Sequence, residues 1–151
     1  MTKSKVDKLE FENAFVMFRN FSGAPGPFNQ DGERAFTVRI EEDTANELLK
    51  IGWNVKPLKP RDGEPQRYKL EVGVGFRYYP AKVWLVSGSR KTLLDEGTVE
   101  TLDWSTIKNA DLVIRPYEWE SAIGKGIKAQ LEEGWFTIET NRFTDKYADL
   151  T

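Results

Sequence analysis

Between Tyr68 and Arg77 the chain alternates without a break: Tyr68, Leu70, Val72, Val74 and Phe76 fall on one side, and Lys69, Glu71, Gly73, Gly75 and Arg77 on the other. With a period of two, only an extended backbone can bury one side and leave the other in water. A helix would scatter the same residues around its circumference. This stretch is therefore a half-buried strand, and a strand needs partners to close its ladder. The two glycines on its polar side predict a bend or the close approach of something flat.

Several other stretches can supply those partners. Leu9–Phe21 reads as one long strand with apolar groups on both faces. In Arg34–Ile40, Phe36, Val38 and Ile40 share a face. Val83–Val86 forms a further strand after Pro80. Leu112–Glu120 and Ile127–Glu139 pair through a glycine-bearing turn at Ser121–Lys125, with a bulge expected at Glu132-Glu133-Gly134. One helix is clear: Thr44 and Glu47 form a capping box, Ala45, Leu48 and Leu49 the apolar stripe, and Gly52 the left-handed C-cap. Trp53–Leu58 leaves it extended, and Pro60–Pro65 turns around Asp62-Gly63. Ser22–Gly32 is a Gly/Pro-rich loop, and Asp95–Ile107 predicts one or two helical turns with Val99 and Leu102 inward. The short polar tail from Asn141 is expected to pack in part through Phe143 and Tyr147.

Five or six strands, one inserted helix and long loops make a mainly β chain, best matched by an OB-fold-like barrel. A β-sandwich is the alternative. At 151 residues, with 39% hydrophobic, the chain suits a single domain over residues 1–151 with short polar tails. Its opening, Met1-Thr2-Lys3-Ser4-Lys5, lacks the apolar run of a signal peptide, and nothing approaches a membrane span. A cytoplasmic protein is expected.

The sequence holds no His and no Cys. That removes the usual serine and cysteine triads and the favoured zinc ligands. Carboxylate chemistry with Mg²⁺ survives as a weak option, but neither Asp95-Glu96 nor Asp103 has the spacing of a metal loop. Glu41-Glu42-Asp43 precedes a helix N-terminus, where negative charge is structural. Gly23-x-x-Gly26 and Gly73-x-Gly75 lack the dinucleotide fingerprint. We expect no enzyme activity and no cofactor.

Charge is the more informative quantity. The net value of −2 conceals a middle segment, residues 50–91, with 10 basic and 3 acidic side chains. Residues 92–139 carry 4 basic and 10 acidic ones. In the basic segment cations interleave with aromatics: Trp53 and Lys56, then Arg77, Tyr79, Lys82 and Trp84. Single-stranded nucleic acid calls for this mixture, because cations track phosphates while flat side chains stack on unpaired bases. The competing reading makes Tyr79 and Trp84 core and the cations a solvated face. A second constellation sits on the predicted hairpin. Arg115, Tyr117 and Trp119 share one face, with Lys125 and Lys128 across the turn. That face is either a binding surface or an aromatic lid over one barrel end.

The segments Asp111-Leu112-Val113-Ile114-Arg115-Pro116-Tyr117, Gly126-Ile127-Lys128-Ala129-Gln130-Leu131 and Trp135-Phe136-Thr137-Ile138 resemble the closing strands of bacteriophage OB-fold single-stranded DNA-binding proteins. Asn20-Phe21-Ser22-Gly23, Gly32-x-Arg34-x-Phe36 and Gly52-Trp53-Asn54-Val55-Lys56 are similar to further phage protein segments. The resemblance implies sequence-tolerant binding of single-stranded DNA during phage replication or recombination, in the bacterial host cytoplasm, with replication or recombination proteins as further partners. Many such proteins end in an acidic tail, and the ending here, Asp145-Lys146-Tyr147-Ala148-Asp149-Leu150-Thr151, is not acidic. The rival function is a protein-interaction or structural phage module, of a virion or a counter-defence system, using the same exposed aromatics.

Overall fold

The computed structural model describes residues 6–25 and 32–140. In chain order the elements are β1 (Leu9–Phe11), β2 (Phe15–Asn20), β3 (Arg34–Glu41), α1 (Glu42–Ile51), β4 (Val55–Pro57), β5 (Arg67–Val74), β6 (Lys82–Ser87), β7 (Arg90–Leu94), α2 (Thr101–Trp104), β8 (Ile107–Ser121) and β9 (Gly124–Ile138). The strands form one sheet in the order β1-β8-β9-β5-β3-β2, with β4 added to β5 and the β6–β7 hairpin added to β9.

The two ends of that order, β1 and β2, are consecutive pieces of one segment. The sequence predicts a single strand over Leu9–Phe21, but the chain breaks at Asn13, whose φ is 52°. There the backbone N–H groups of Asn13 and Ala14 turn to the Asp111 carboxylate (2.9 Å) and the Ala110 carbonyl (2.7 Å). The segment thus leaves β8, which it pairs through Leu9–Phe11, and joins β3 through Phe15–Asn20. A sheet whose two edges belong to one bent strand rolls toward a barrel. Together with the parallel β5–β9 contact and the antiparallel β8–β9 and β3–β5 pairs, this is the partly open, five-stranded OB arrangement and not a sandwich.

The inward-facing residues are those set by the alternation: Phe36, Val38 and Ile40 of β3, Leu70, Val72 and Val74 of β5, and Ile127, Ala129 and Leu131 of β9. Phe21, Phe36 and Phe136 meet at the centre with ring centroids 5.4–5.7 Å apart. The predicted bulge occurs on β9: Val113 pairs with Glu133 and Ile114 with Leu131, so Glu132 is the extra residue. It keeps Leu131 and then Gly134 and Phe136 buried on the same side.

Two local readings need correction. Helix α1 begins at Glu42, with Glu41 at the N-cap and no side-chain capping bond, so Thr44 and Glu47 lie within it and form no capping box. The acidic first turn, Glu42 and Asp43, provides the favourable charge at that end. Gly52 closes the helix as expected, at φ 116° with its N–H on the Leu48 carbonyl. The second correction is Arg90–Leu94, a strand that sequence alternation did not mark. Its exposed side chains carry no half-buried signature. As expected, Val99 and Leu102 are buried beside α2. The tail from Asn141 lies outside the described residues.

Candidate nucleic-acid interface

On the outer face of the barrel, β3, β5 and β9 line a groove of about 880 Å³. Because inward residues occupy every second position, the outward set follows directly: Ala35 and Thr37 of β3, Lys69, Glu71 and Gly73 of β5, and Lys128 and Gln130 of β9. Lys56 enters from β4, where it pairs with Lys69, and Phe18 enters from β2.

Lys56, Lys69 and Lys128 make no ion pair among the described residues, so three unpaired ammonium groups face one concavity, which the carboxylates of Glu33 and Glu71 also line. Other cations are already committed. Arg67 lies 3.4 Å from Glu41 and 3.9 Å from Glu64, and Arg34 lies 3.7 Å from Glu96 at the groove's end. Phe18 presents an exposed ring, at 68% relative accessibility, from a backbone with φ 51°. A bulky residue rarely adopts that conformation. The β2–β3 register shifts between Met17 and Asn20, so an irregularity in the ladder turns Phe18 outward.

The floor is shaped by an absent side chain. A Cβ at Gly73 would lie 2.9 Å from Gln130 Nε2 and 3.1 Å from its Oε1. The flat group that the glycine face anticipated is thus a side-chain amide. Next to the groove runs the outer part of the β8–β9 arm, where Arg115 faces Gln130, Tyr117 faces Lys128 and Trp119 faces Gly126. Trp119 is half-buried on Gly126, whose added Cβ would come within 3.0 Å of the indole. Arg115 stacks on Tyr79 with its guanidinium carbon 4.7 Å from the ring centroid, which brings the exposed Arg77–Tyr79 loop to this arm.

The eleven residues singled out by sequence therefore divide. Lys56 and Lys128 line the groove, and Arg115, Tyr117, Trp119, Lys125, Arg77 and Tyr79 belong to the adjoining arm and loop. Trp53 is withdrawn: it is 2% exposed. Backbone bonds from Asn54 N–H to the Ile127 carbonyl and from Ile127 N–H to the Gly52 carbonyl draw its ring into the core. Lys82 and Trp84 sit elsewhere, on β6 opposite Glu133 and Trp135 of β9. Those positions are five and seven residues beyond Lys128, a separation of about 16 Å or more along an extended strand. Trp84 Nε1 donates to Glu133 Oε2 at 2.9 Å, and Lys91 Nζ lies 4.5 Å from its ring centroid.

Sequence reasoning missed Phe18, Lys69, Glu71, Asn54 and Gln130. Lys69 and Glu71 were legible as outward positions of β5. Phe18 was not, since an unbroken strand would have put it beside other apolar residues. The carboxylates considered for metal are structural. Asp103 accepts the backbone N–H groups of Phe21 and Ser22 at 2.7 and 2.9 Å, and Asp95 accepts from Thr98 and Gly97. No group of three potential ligands exists among the described residues. Among them, no helix is long and apolar enough to cross a membrane.

An OB barrel whose outer strand face forms a cation-lined groove has the architecture of an oligonucleotide- or oligosaccharide-binding domain. The family comparison selects between these. Residues 1–151 match the family model described as "Putative phage ssDNA-binding domain", and the chain belongs to that family. Among solved structures, the C-terminally truncated single-stranded DNA-binding protein of bacteriophage Enc34 matches with a TM-score of 0.55 at 14% identity, covering 89% of this chain and 87% of that one. The same phage protein in complex with ssDNA matches with a TM-score of 0.53 at 17% identity, covering 90% and 89%. At such identities the likeness is one of fold. A comparison with curated proteins finds no match.

Proposed function

We propose that this chain binds single-stranded DNA with little sequence preference through the β3–β5–β9 groove and the β8–β9 arm, and that it protects exposed strands during phage replication or recombination in the host cytoplasm. The observation that carries this reading is the groove itself, where Lys56, Lys69 and Lys128 converge without ion pairs beside the exposed ring of Phe18. Cations free of ion pairs release counterions from a polyanion, which gives affinity that falls as salt rises. Exposed rings then favour unpaired bases, because stacking on a duplex interior is closed to them. Tyr117, Tyr79 and Trp119 extend the platform along the arm, and Lys125 and Arg77 supply further cations there. The whole chain acts as one binding unit and carries out no chemistry on the strand: Mg²⁺ or Mn²⁺ should elicit no nuclease or nucleotide hydrolysis.

The test is a fluorescence titration with a strand of about 30 nucleotides, long enough for an OB-type site of roughly 4–16, against duplex of the same sequence. Tight binding to the single strand, weaker binding to duplex and a steep salt dependence are expected. No binding at low salt would end this reading.

A further inference from the structure

Two carboxylates line the groove, Glu33 and Glu71, and both work against phosphate binding. Glu71 projects from the middle of β5 into a cavity whose other charged members include Lys56, Lys69 and Lys128. It is exposed and makes neither an ion pair nor a side-chain hydrogen bond among the described residues. Lys128 is its neighbour in the parallel β5–β9 register, one step before the Val72–Ala129 pair, yet no salt bridge forms. One pleat further along β5 is Gly73, where the Gln130 amide rests and likewise makes no side-chain hydrogen bond among the described residues. A carboxylate and an amide therefore lie side by side on the floor, both open to the groove.

Their chemistry suits base edges rather than the backbone. A carboxylate repels phosphate, which keeps the strand's backbone with the lysines and turns its bases toward the floor. It accepts hydrogen bonds and offers none, so it pairs with an exocyclic amino group, as acidic side chains do with cytosine N4. The amide beside it can donate to the ring nitrogen or carbonyl next to that amino group. Cytosine, adenine and guanine each carry such a donor with an acceptor beside it. Thymine has no amino group, and its N3–H is flanked by two carbonyl oxygens that a carboxylate repels.

We propose that Glu71 and Gln130 form a base-edge reader on the groove floor that favours amino-bearing bases over thymine, a graded preference superimposed on sequence-tolerant binding. This rests on the groove being the DNA site. Gln130 is a reader only while its seat is free, so Gly73 is a positioning residue, because a methyl group there would lift the amide.

The experiment compares affinities of the full chain for oligo(dC) and oligo(dT) of about 16 nucleotides at pH 8, where cytosine is unprotonated. Wild type, Glu71→Ala, Glu71→Gln and Gln130→Ala are compared, with thermal melts to confirm folding. Wild type should bind oligo(dC) about fivefold more tightly or better, the lower end expected for one good base contact. Glu71→Ala should bind oligo(dT) more tightly than wild type, because the repulsion is gone, while its dC/dT ratio falls to near one. Glu71→Gln and Gln130→Ala should give intermediate ratios. A solvated surface charge would behave differently, since its removal would tighten both oligomers alike and leave the ratio unmoved. That result, or equal wild-type affinity for both oligomers, overturns the reader while leaving the groove as the DNA site. Loss of all binding in wild type at low salt would sink the groove reading itself.

Discussion

The barrel has two outward faces that each combine lysines with an aromatic ring, and they use them in opposite ways. On the β6–β7 face, Trp84 donates its indole N–H to Glu133, and Lys91 sits 4.5 Å from its ring centroid. Both the ring and the cation are engaged within the face. In the β3–β5–β9 groove, Lys56, Lys69 and Lys128 make no ion pairs among the described residues, and Phe18 is 68% exposed on a left-handed backbone. The first face commits its ring and Lys91 and leaves only Lys82 among these groups exposed without an ion pair among the described residues. The second leaves its ring and all three lysines unpaired among those residues. Composition does not separate them. The availability of each group does, and a binding surface is where availability has been kept at some conformational cost.

Four measurements sharpen or break this contrast, beginning with the largest effect. Trp53→Ala should remove about 3–5 kcal/mol of folding stability, as for a large buried aromatic, while the folded fraction keeps wild-type DNA affinity. A stable variant with lost binding would return Trp53 to the site. Next, Lys56, Lys69 and Lys128 changed together to Gln should flatten the log–log salt dependence by about 2 units, at roughly 0.7 per single-strand phosphate contact. Changing Lys82 and Lys91 together should leave the slope within about half a unit of wild type; an equal drop would mean that the two faces act as one.

Smaller, and opposite in sign between two readouts, is Phe18→Gly. Single-strand binding should weaken by about 1–3 kcal/mol if the ring stacks on a base. Thermal stability should hold or rise by up to about 1 kcal/mol, because glycine adopts positive φ without the steric penalty. A variant that melts much lower would show that Phe18 packs rather than stacks. The smallest expected effect is that of Trp84→Ala on binding, below about 0.5 kcal/mol, as for a position away from the functional surface. A loss of 1–3 kcal/mol there would match a stacked base and erase the distinction between the faces.

The strands themselves were readable because burial of one sheet face imposes a period of two, and β3, β5 and β9 obey it. The bulge at Glu132 was readable from the Glu-Glu-Gly interruption of β9. The linear charge count misled in part. Of the ten cations in residues 50–91, Lys56 and Lys69 line the groove, while Lys128 comes from the acidic segment that follows. Arg67 and Lys91, in the basic stretch, spend their charge on Glu41, Glu64 and Trp84.

What the sequence determined alone is local: which residues face inward along each strand, where α1 stops at Gly52, and, from the lack of His and Cys, which chemistries are closed. Each follows from a residue's own geometry or functional group and needs no knowledge of a distant partner. Tertiary structure decided everything that depends on neighbours from elsewhere in the chain. It switched β1–β2 from β8 to β3 at Asn13, drew Trp53 inward against Ile127, turned Phe18 outward and laid the Gln130 amide on Gly73. Alternation says only that a side chain leaves one face of a strand. Whether that face meets core, a counter-ion or open water depends on which strands lie beside it, and long-range pairing alone assigns those neighbours.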